Sequence, residues 1–234
     1  MDLLFKLIIS PLDENTASLV NVNRGQMLAS SSNNSIFIHT GKYEGRNDYF
    51  TPEDVRIYNG IDETGKEYKI TKIETHAFSH CSDMINLVIG PYVNEIKWNM
   101  YQCKSLLNIF VAEENTIFHD TEGVLFKGNE LIGFPQGRTG HYDVPVGTRK
   151  IGNMAFKSCK ISSITFPETL EEIGDNAFYE CPNISEFILP KSIKKIHKNC
   201  NVANEPITQV FYLYDDINKT NPLKITDLIK MFPV

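Results

Sequence analysis

The feature that most constrains the fold of this chain is a short phrase that recurs along its sequence. Three copies share the pattern Ile-x-x-x-Ala-Phe-x-x-Cys, and they occupy residues 73–81, 151–159 and 173–181. A fourth copy, 96–103, is one residue shorter between its aromatic residue and Cys103. A fifth keeps Ile196 and places Cys200 where the others have Ala or Met. The chain therefore contains internal repeats.

The spacing of the repeats is typical of a solenoid. The first isoleucines are separated by 23 residues (73 to 96), 55 (96 to 151), 22 (151 to 173) and 23 (173 to 196). One turn of a solenoid of short strands takes about 20–29 residues. Three of the four steps therefore predict one coil each, and the long step predicts a coil with an insertion.

A second phrase follows each cysteine, and its apolar residues alternate toward its end. These phrases occupy residues 84–89, 106–111, 161–166, 184–189 and 207–212. A period of two predicts a β-strand with one buried face. Pro167 and Pro190 come directly after two of the phrases and are expected to end those strands.

Together the two phrases resemble the BspA-type leucine-rich repeat family. The resemblance covers residues 70–212 and is strongest over 149–196. The long step also resembles a variant of that family, and residues 125–132 within it predict a hairpin with a Gly-Asn turn.

The predicted fold class is α/β: a leucine-rich repeat solenoid of short β-strands and short helical turns. We expect a β-rich N-terminal entry and capping segment over 1–68 and repeats over 69–212, with the hairpin insertion near 113–148. A C-terminal cap is expected over 213–234, where the apolar residues of 223–232 have helical spacing.

Charge and hydropathy narrow the classes of partner. The formal net charge is −6, and no long basic run provides a footprint for nucleic acid. The apolar stretch 3–9 is too short to span a bilayer and, without a basic leader, makes a poor signal peptide, so no membrane insertion is expected. The family resemblance implies a cell-surface or secreted protein, and a cytoplasmic location is the alternative.

The cysteines and histidines are expected to be structural. The recurring cysteines predict a column of buried thiols, with a disulfide between neighbouring coils as the less favoured alternative. Five cysteines cannot all pair within one chain. His76 and His80 lie four residues apart within the phrase 73–81, with Cys81 next to His80, and could clamp zinc, but both occupy variable positions of the repeat. We therefore expect no metal and no cofactor.

No nucleophile, base and orienting acid can be recognised in the sequence, and we expect a protein that is not an enzyme. The resemblance implies a binding surface for a protein or host matrix ligand. The alternative is a structural spacer or assembly module with no ligand of its own. Nothing in the sequence indicates the oligomeric state.

Two columns of outward strand residues are the predicted partner-binding site. The first column is mostly apolar and contains Val88, Phe110, Thr165, Ile188 and Phe211. The second is polar and contains Asn86, Asn108, Ser163, Glu186 and Gln209. An apolar stripe beside a polar one is typical of a protein-binding face, and Phe110 and Phe211 are the expected anchors. The alternative is that the hairpin or a cap covers this stripe.

Overall fold

The computed structural model describes most of the chain as two compact units, Met1–Gly123 and Val124–Val234. The described residues are 5–24, 35–37, 54–57, 59–61, 66–75, 77–79, 81–82, 84–197, 210–216 and 218–232. The division into 1–68, 69–212 and 213–234 stays a prediction.

The first unit contains ten described strands, and all of them except β10 form two sheets. Their bounds are β1 Phe5–Pro11, β2 Thr16–Arg24, β3 Ser35–Phe37, β4 Asp54–Ile57, β5 Asn59–Ile61, β6 Glu67–Ile73, β7 Asn86–Ile89, β8 Glu95–Ile96, β9 Asn108–Val111 and β10 His119–Thr121. One sheet has the order β3-β1-β2-β6-β5, with β8 also paired to β6. The other is the parallel sheet β4-β7-β9.

The second unit contains nine described strands and one helix. Their bounds are β11 Val124–Lys127, β12 Glu130–Gly133, β13 Thr139–Asp143, β14 Lys150–Ile151, β15 Lys160–Thr165, β16 Glu172–Ile173, β17 Glu186–Leu189, β18 Lys195–Ile196, β19 Val210–Leu213 and α1 Ile225–Met231. The predicted hairpin is formed by β11 and β12, and Gly128 in its turn has a φ of 55°, which favours glycine. From β12 a narrow parallel sheet continues through β14, β16 and β18.

The stacking of the repeats is confirmed. Ile151 pairs with Ile173, and Ile173 pairs with Ile196, so consecutive copies of the phrase lie one coil apart. The longer strands also form parallel pairs, β13 with β15 and β17 with β19. The predicted leucine-rich repeat solenoid is therefore the architecture of the described coils, with very little helix.

The repeated phrase forms turns that are bonded from coil to coil. The Phe156 amide donates to the Ala177 carbonyl at 2.8 Å, and the Phe134 amide donates to Ala155 in the same way. Met154 and Asn176, at equivalent positions, both adopt a left-handed backbone with φ of 57° and 52°. These intercoil bonds satisfy backbone groups that a helix would have bonded internally.

A column of aromatic rings fills the core of the second unit. The centroids of Phe134 and Phe156 lie 4.7 Å apart, and those of Phe156 and Phe178 lie 5.0 Å apart. The column continues through Phe187 to Phe211 with separations of 4.7 and 5.0 Å. All five side chains are buried. The inward orientation predicted for the phenylalanine of the phrase is thus confirmed.

The cysteines of the phrase are buried free thiols, as predicted. Cys103 donates its thiol proton to the Phe78 carbonyl, with the sulfur 2.9 Å from the oxygen, and Cys181 makes the same bond to Phe156 at 2.8 Å. Burial raises the pKa of Cys81 and Cys103 to about 12. All four described cysteines are free, and Cys200 lies outside the described residues.

The last described strand of the second unit is covered by the chain that follows it. Phe211 and Leu223 exchange two backbone hydrogen bonds of 3.0 and 2.8 Å. Helix α1 then buries Leu228 in the core, and the Asp227 carboxylate accepts a bond from the Lys224 amide at its start. This segment shields the end of the apolar column from water.

Two copies of the phrase have a glycine directly after the first isoleucine, Gly152 and Gly174, and these glycines allow neighbouring coils to approach closely. A Cβ on Gly174 would lie 2.8 Å from the Asn153 amide nitrogen and 2.9 Å from the Gly152 carbonyl carbon. At Gly152 the nearest atom, the Leu131 carbonyl oxygen, would be 3.0 Å away. We expect Gly174→Ala to lower the free energy of unfolding by about 1–3 kcal/mol, because the backbone must move.

Gly152→Ala serves as the matched control and should cost less. Urea unfolding followed by circular dichroism measures both variants. Equal stability of Gly174→Ala and the unsubstituted chain would show that the coils are not packed this closely.

Candidate functional site

The longer strands of the second unit, β13, β15, β17 and β19, present one exposed face, which we call the strand face. Strands β13, β15, β17 and β19 alternate buried and outward residues because successive side chains of a strand point to opposite sides. β13 pairs with β15, β17 pairs with β19, and β15 lies beside β17. The outward residues of the strand face are His141, Asp143, Ser163, Thr165, Glu186, Ile188 and Tyr212, together with Tyr214 directly after β19.

The predicted apolar column is partly wrong. Thr165 and Ile188 are exposed and Phe110 is half-buried, but Val88 is only 3% exposed and Phe211 only 1%. Val88 lies on β7, the central strand of the sheet β4-β7-β9, where Phe110 is its pairing neighbour on β9.

The prediction for Phe211 is wrong for a different reason, which is the register of β19. It pairs with Phe187 in the core, and Tyr212 pairs with Ile188 at the surface. The sequence assignment of the last phrase was displaced by one residue, and such a displacement exchanges the two faces of a strand. Tyr212 is therefore the aromatic residue that belongs beside Ile188.

The polar column is partly outward. Ser163 and Glu186 are exposed, whereas Asn86 and Asn108 are half-buried and bonded to each other, with 2.8 Å between Asn108 Nδ2 and Asn86 Oδ1. Gln209 lies outside the described residues. The partner-binding role of both columns stays a prediction.

The polar half of the strand face contains a cluster that the sequence analysis missed. His141 Nδ1 lies 2.7 Å from Ser163 Oγ, and His141 Nε2 lies 3.0 Å from both Asp143 Oδ1 and Thr165 Oγ1. Residues 139–143 were assigned to an insertion, so the column was not extended to them. The buried Tyr142 between two polar residues was the available signal of a strand.

We call these four residues the His141 cluster. The hydrogen bond with His141 lowers the pKa of the Asp143 carboxyl below its ordinary value, and the Thr165 hydroxyl acts in the same direction. Ser163, His141 and Asp143 are linked in the order of a nucleophile, a base and an orienting acid. However, His141 is 47% exposed and Asp143 is 78% exposed, so water screens both groups.

The other half of the strand face is apolar and aromatic. Ile188 is 46% exposed, and Tyr214, directly after β19, is 48% exposed. The Lys191 ammonium lies 4.9 Å from the centre of the Tyr214 ring. Lys219 forms an ion pair with Glu186 and lies 5.9 Å from the Tyr212 ring. Rings with cations at their edge are frequent in protein interfaces.

The narrow sheet of the same unit is charged, and its charged side chains form ion pairs from coil to coil. Glu171 lies between Arg149 at 2.8 Å and Lys194 at 3.1 Å. Glu172 lies between Lys150 and Lys195 in the same way, at 3.7 and 3.8 Å. We call these pairs the charge ladder. Because the sign alternates from coil to coil, the ladder favours the observed register, and each of its four cations already has a carboxylate as a partner.

The described residues contain no group of three or more His, Cys, Asp or Glu residues that could hold a metal ion. His76 and His80 lie outside the described residues. None of the helices described is long and apolar enough to cross a membrane.

Comparison with known proteins identifies the repeats. The family described as "BspA type Leucine rich repeat region" matches residues 61–129 and 136–220, in six copies. No curated protein matches the chain.

Three solved structures are similar in part. A leucine-rich repeat protein from Eubacterium ventriosum is 24% identical, with a TM-score of 0.49 over 54% of this chain and 35% of that one. A leucine rich cell surface protein from Faecalibacterium prausnitzii is 19% identical, with a TM-score of 0.45 over 57% and 42%. A leucine-rich repeat protein from Bacteroides ovatus is 16% identical, with a TM-score of 0.44 over 89% and 54%. The chain spans about a third to a half of the length of these structures.

Proposed function

The chain belongs to the BspA-type leucine-rich repeat family, and on that premise we propose that it is a non-catalytic protein-binding module that docks its partner on the strand face. Families of leucine-rich repeats generally serve as binding scaffolds. The observation that carries the proposal is the exposure of Ile188 and Tyr214 beside a row of polar side chains. Such a combination of an apolar patch and a polar border is typical of an interface.

Two further features support docking on this face. Each cation of the charge ladder already has a carboxylate within 3.8 Å, so a partner on the narrow sheet would have to compete with these ion pairs. The strand face is held by the stacked phenylalanines and by parallel strand pairing beneath it. A preorganised surface loses little conformational entropy when a partner binds.

The proposed partner is a protein or host matrix ligand, and the proposed location is the cell surface or the extracellular medium. Both follow from the family resemblance and not from a contact in the structure. If the proposal is wrong, the binding experiment would instead indicate a structural spacer without a ligand.

One prediction of the proposed function concerns the apolar half of the strand face. We expect Ile188→Asp combined with Tyr214→Ala to weaken binding to an immobilised panel of extracellular matrix proteins by about tenfold or more, because central anchors of an interface contribute about 2 kcal/mol or more. Surface plasmon resonance measures the affinity, and circular dichroism verifies that the fold is retained.

Lys194→Gln is the matched control, since its side chain is exposed but lies on the charge ladder. It should bind as the unsubstituted chain does. Unchanged binding by the strand-face variant, or the absence of any ligand in the panel, would favour the structural spacer.

Another prediction of the proposed function concerns the absence of catalysis at the His141 cluster. A serine nucleophile requires preorganised donors for the developing oxyanion and exclusion of water, and this cluster is open to solvent. We therefore expect a fluorophosphonate probe to label Ser163 no faster than other exposed serines. Site-resolved mass spectrometry gives the rates. Fast labelling of Ser163 that His141→Gln abolishes would contradict a non-catalytic role.

A further inference from the structure

The charges of the narrow sheet alternate in sign in a fixed order along the stacked coils. The register of β12, β14, β16 and β18 forms one row, which contains in this order Glu130, Lys150, Glu172 and Lys195. Lys150 lies 3.2 Å from Glu130 and 3.7 Å from Glu172. The side chains of this row are 27–37% exposed, so their charges reach the surface. The row therefore presents the order negative, positive, negative, positive.

A second row lies one residue earlier in each coil and alternates in the same direction. It contains Arg149, Glu171 and Lys194, which are joined by the ion pairs described above. Asn129 holds the corresponding place before β12, and its carbonyl accepts a hydrogen bond from the Arg149 amide at 2.9 Å. Arg149 is 62% exposed and Lys194 is 70% exposed. The order of this row is neutral, positive, negative, positive.

An alternating row of four charges is complementary to itself when it is reversed. A half turn about an axis parallel to the strands, between β14 and β16, brings Glu172 of a second copy opposite Lys150. The same half turn brings Lys195 of the second copy opposite Glu130, and the reciprocal contacts form as well. A half turn about an axis along the stack of coils would instead place like charges opposite each other, which is unfavourable. The charges thus favour one arrangement of two copies.

The second row obeys the same symmetry. The half turn between β14 and β16 brings Glu171 of the second copy opposite Arg149, again with opposite charges. Lys194 of the second copy comes opposite Asn129, which is neutral, so this contact has no repulsion. The two rows are therefore complementary to themselves about one and the same axis.

We propose that the second unit forms a symmetric dimer through its narrow sheets, with β14 and β16 of one copy facing β16 and β14 of the other. An unrelated partner would compete with the existing ion pairs, whereas a second copy leaves them intact and adds an opposite charge to each central side chain. Residues 124–234 contain 13 Lys and Arg and 12 Asp and Glu, so two copies of this unit have little net repulsion.

The dimer goes beyond the proposed function, because the strand face is formed by other strands and stays outside this interface. One dimer therefore has two strand faces, and a ligand with repeated binding sites would be held more tightly than by a single chain. Exposed ion pairs contribute little each, so the dimer is weak and reversible.

The test measures the dimer Kd of the full chain by sedimentation equilibrium at low ionic strength and concentrations up to about 1 mM. Lys150→Glu places two carboxylates opposite each other at both symmetric contacts, and Glu172→Lys places two ammonium groups there. We expect each variant to raise Kd about tenfold or more. Circular dichroism verifies that both variants remain folded.

Mixing the two variants gives the sharpest result. In a mixed dimer, position 150 of each chain again faces an opposite charge at position 172 of the other. An equimolar mixture of Lys150→Glu and Glu172→Lys should therefore form mixed dimers with a Kd within about threefold of that of the unsubstituted chain. A folding defect could not produce this rescue. Arg149→Glu mixed with Glu171→Arg provides an independent second pair.

Lys194→Glu is the matched control, because it makes the same charge change on the same ladder but faces the neutral Asn129. Its dimer Kd should stay within about twofold of the unsubstituted value. A chain that stays monomeric at every concentration, single variants that dimerise normally, or mixtures without rescue would each overturn the dimer.

The strand-face variant separates this proposal from the proposed function. The chain with Ile188→Asp and Tyr214→Ala should dimerise as the unsubstituted chain does, whether or not it binds matrix proteins. Loss of the dimer in this variant would mean that the copies meet through the strand face, and the narrow-sheet interface would be wrong.

Discussion

The structure depends on the register between successive coils. A step of 22 or 23 residues brings each isoleucine of the repeated phrase opposite the next, and the rings of Phe156 and Phe178 then stack at 5.0 Å. A buried phenylalanine stabilises the fold by about 1.5–3 kcal/mol relative to an exposed one, so a slipped coil would forfeit a large contribution. The same register determines which side chains point outward and lie next to one another.

The two sheets of the second unit use this register differently. On the narrow sheet, Glu171 and Glu172 meet cations from the coils on both sides, so the charges stabilise the register itself. On the strand face, Ile188 and Tyr214 remain exposed, and the charged groups are concentrated at the His141 cluster and at Glu186. One repeat therefore provides a rigid scaffold and, on the proposed function, the surface for a partner.

Much of the fold could be predicted from the sequence because its signals are repeated. The phrase, the buried thiols and the outward positions of Thr165 and Ile188 follow from spacing and alternation. Phe211 could not be placed, because the aromatic pair Phe211-Tyr212 allows either register and only pairing with Phe187 decides between them. The His141 cluster was missed since its residues come from strands 22 residues apart, one of which lay in the assumed insertion. The left-handed backbone of Met154 could not be predicted from the sequence, because methionine rarely adopts that conformation.

The register of the strand face can be measured directly by alkylation of single cysteines introduced into β17 and β19. The four described native cysteines are buried, and burial raises the pKa values of Cys81, Cys103 and Cys159, so these thiols should react slowly in the folded chain. The account predicts fast reaction with iodoacetamide for Ile188→Cys and Tyr212→Cys and slow reaction for Leu189→Cys and Phe211→Cys, resolved by mass spectrometry of each site. Fast labelling at position 211 with protection at 212, in a chain that retains its circular dichroism, would contradict the register and the strand face built on it.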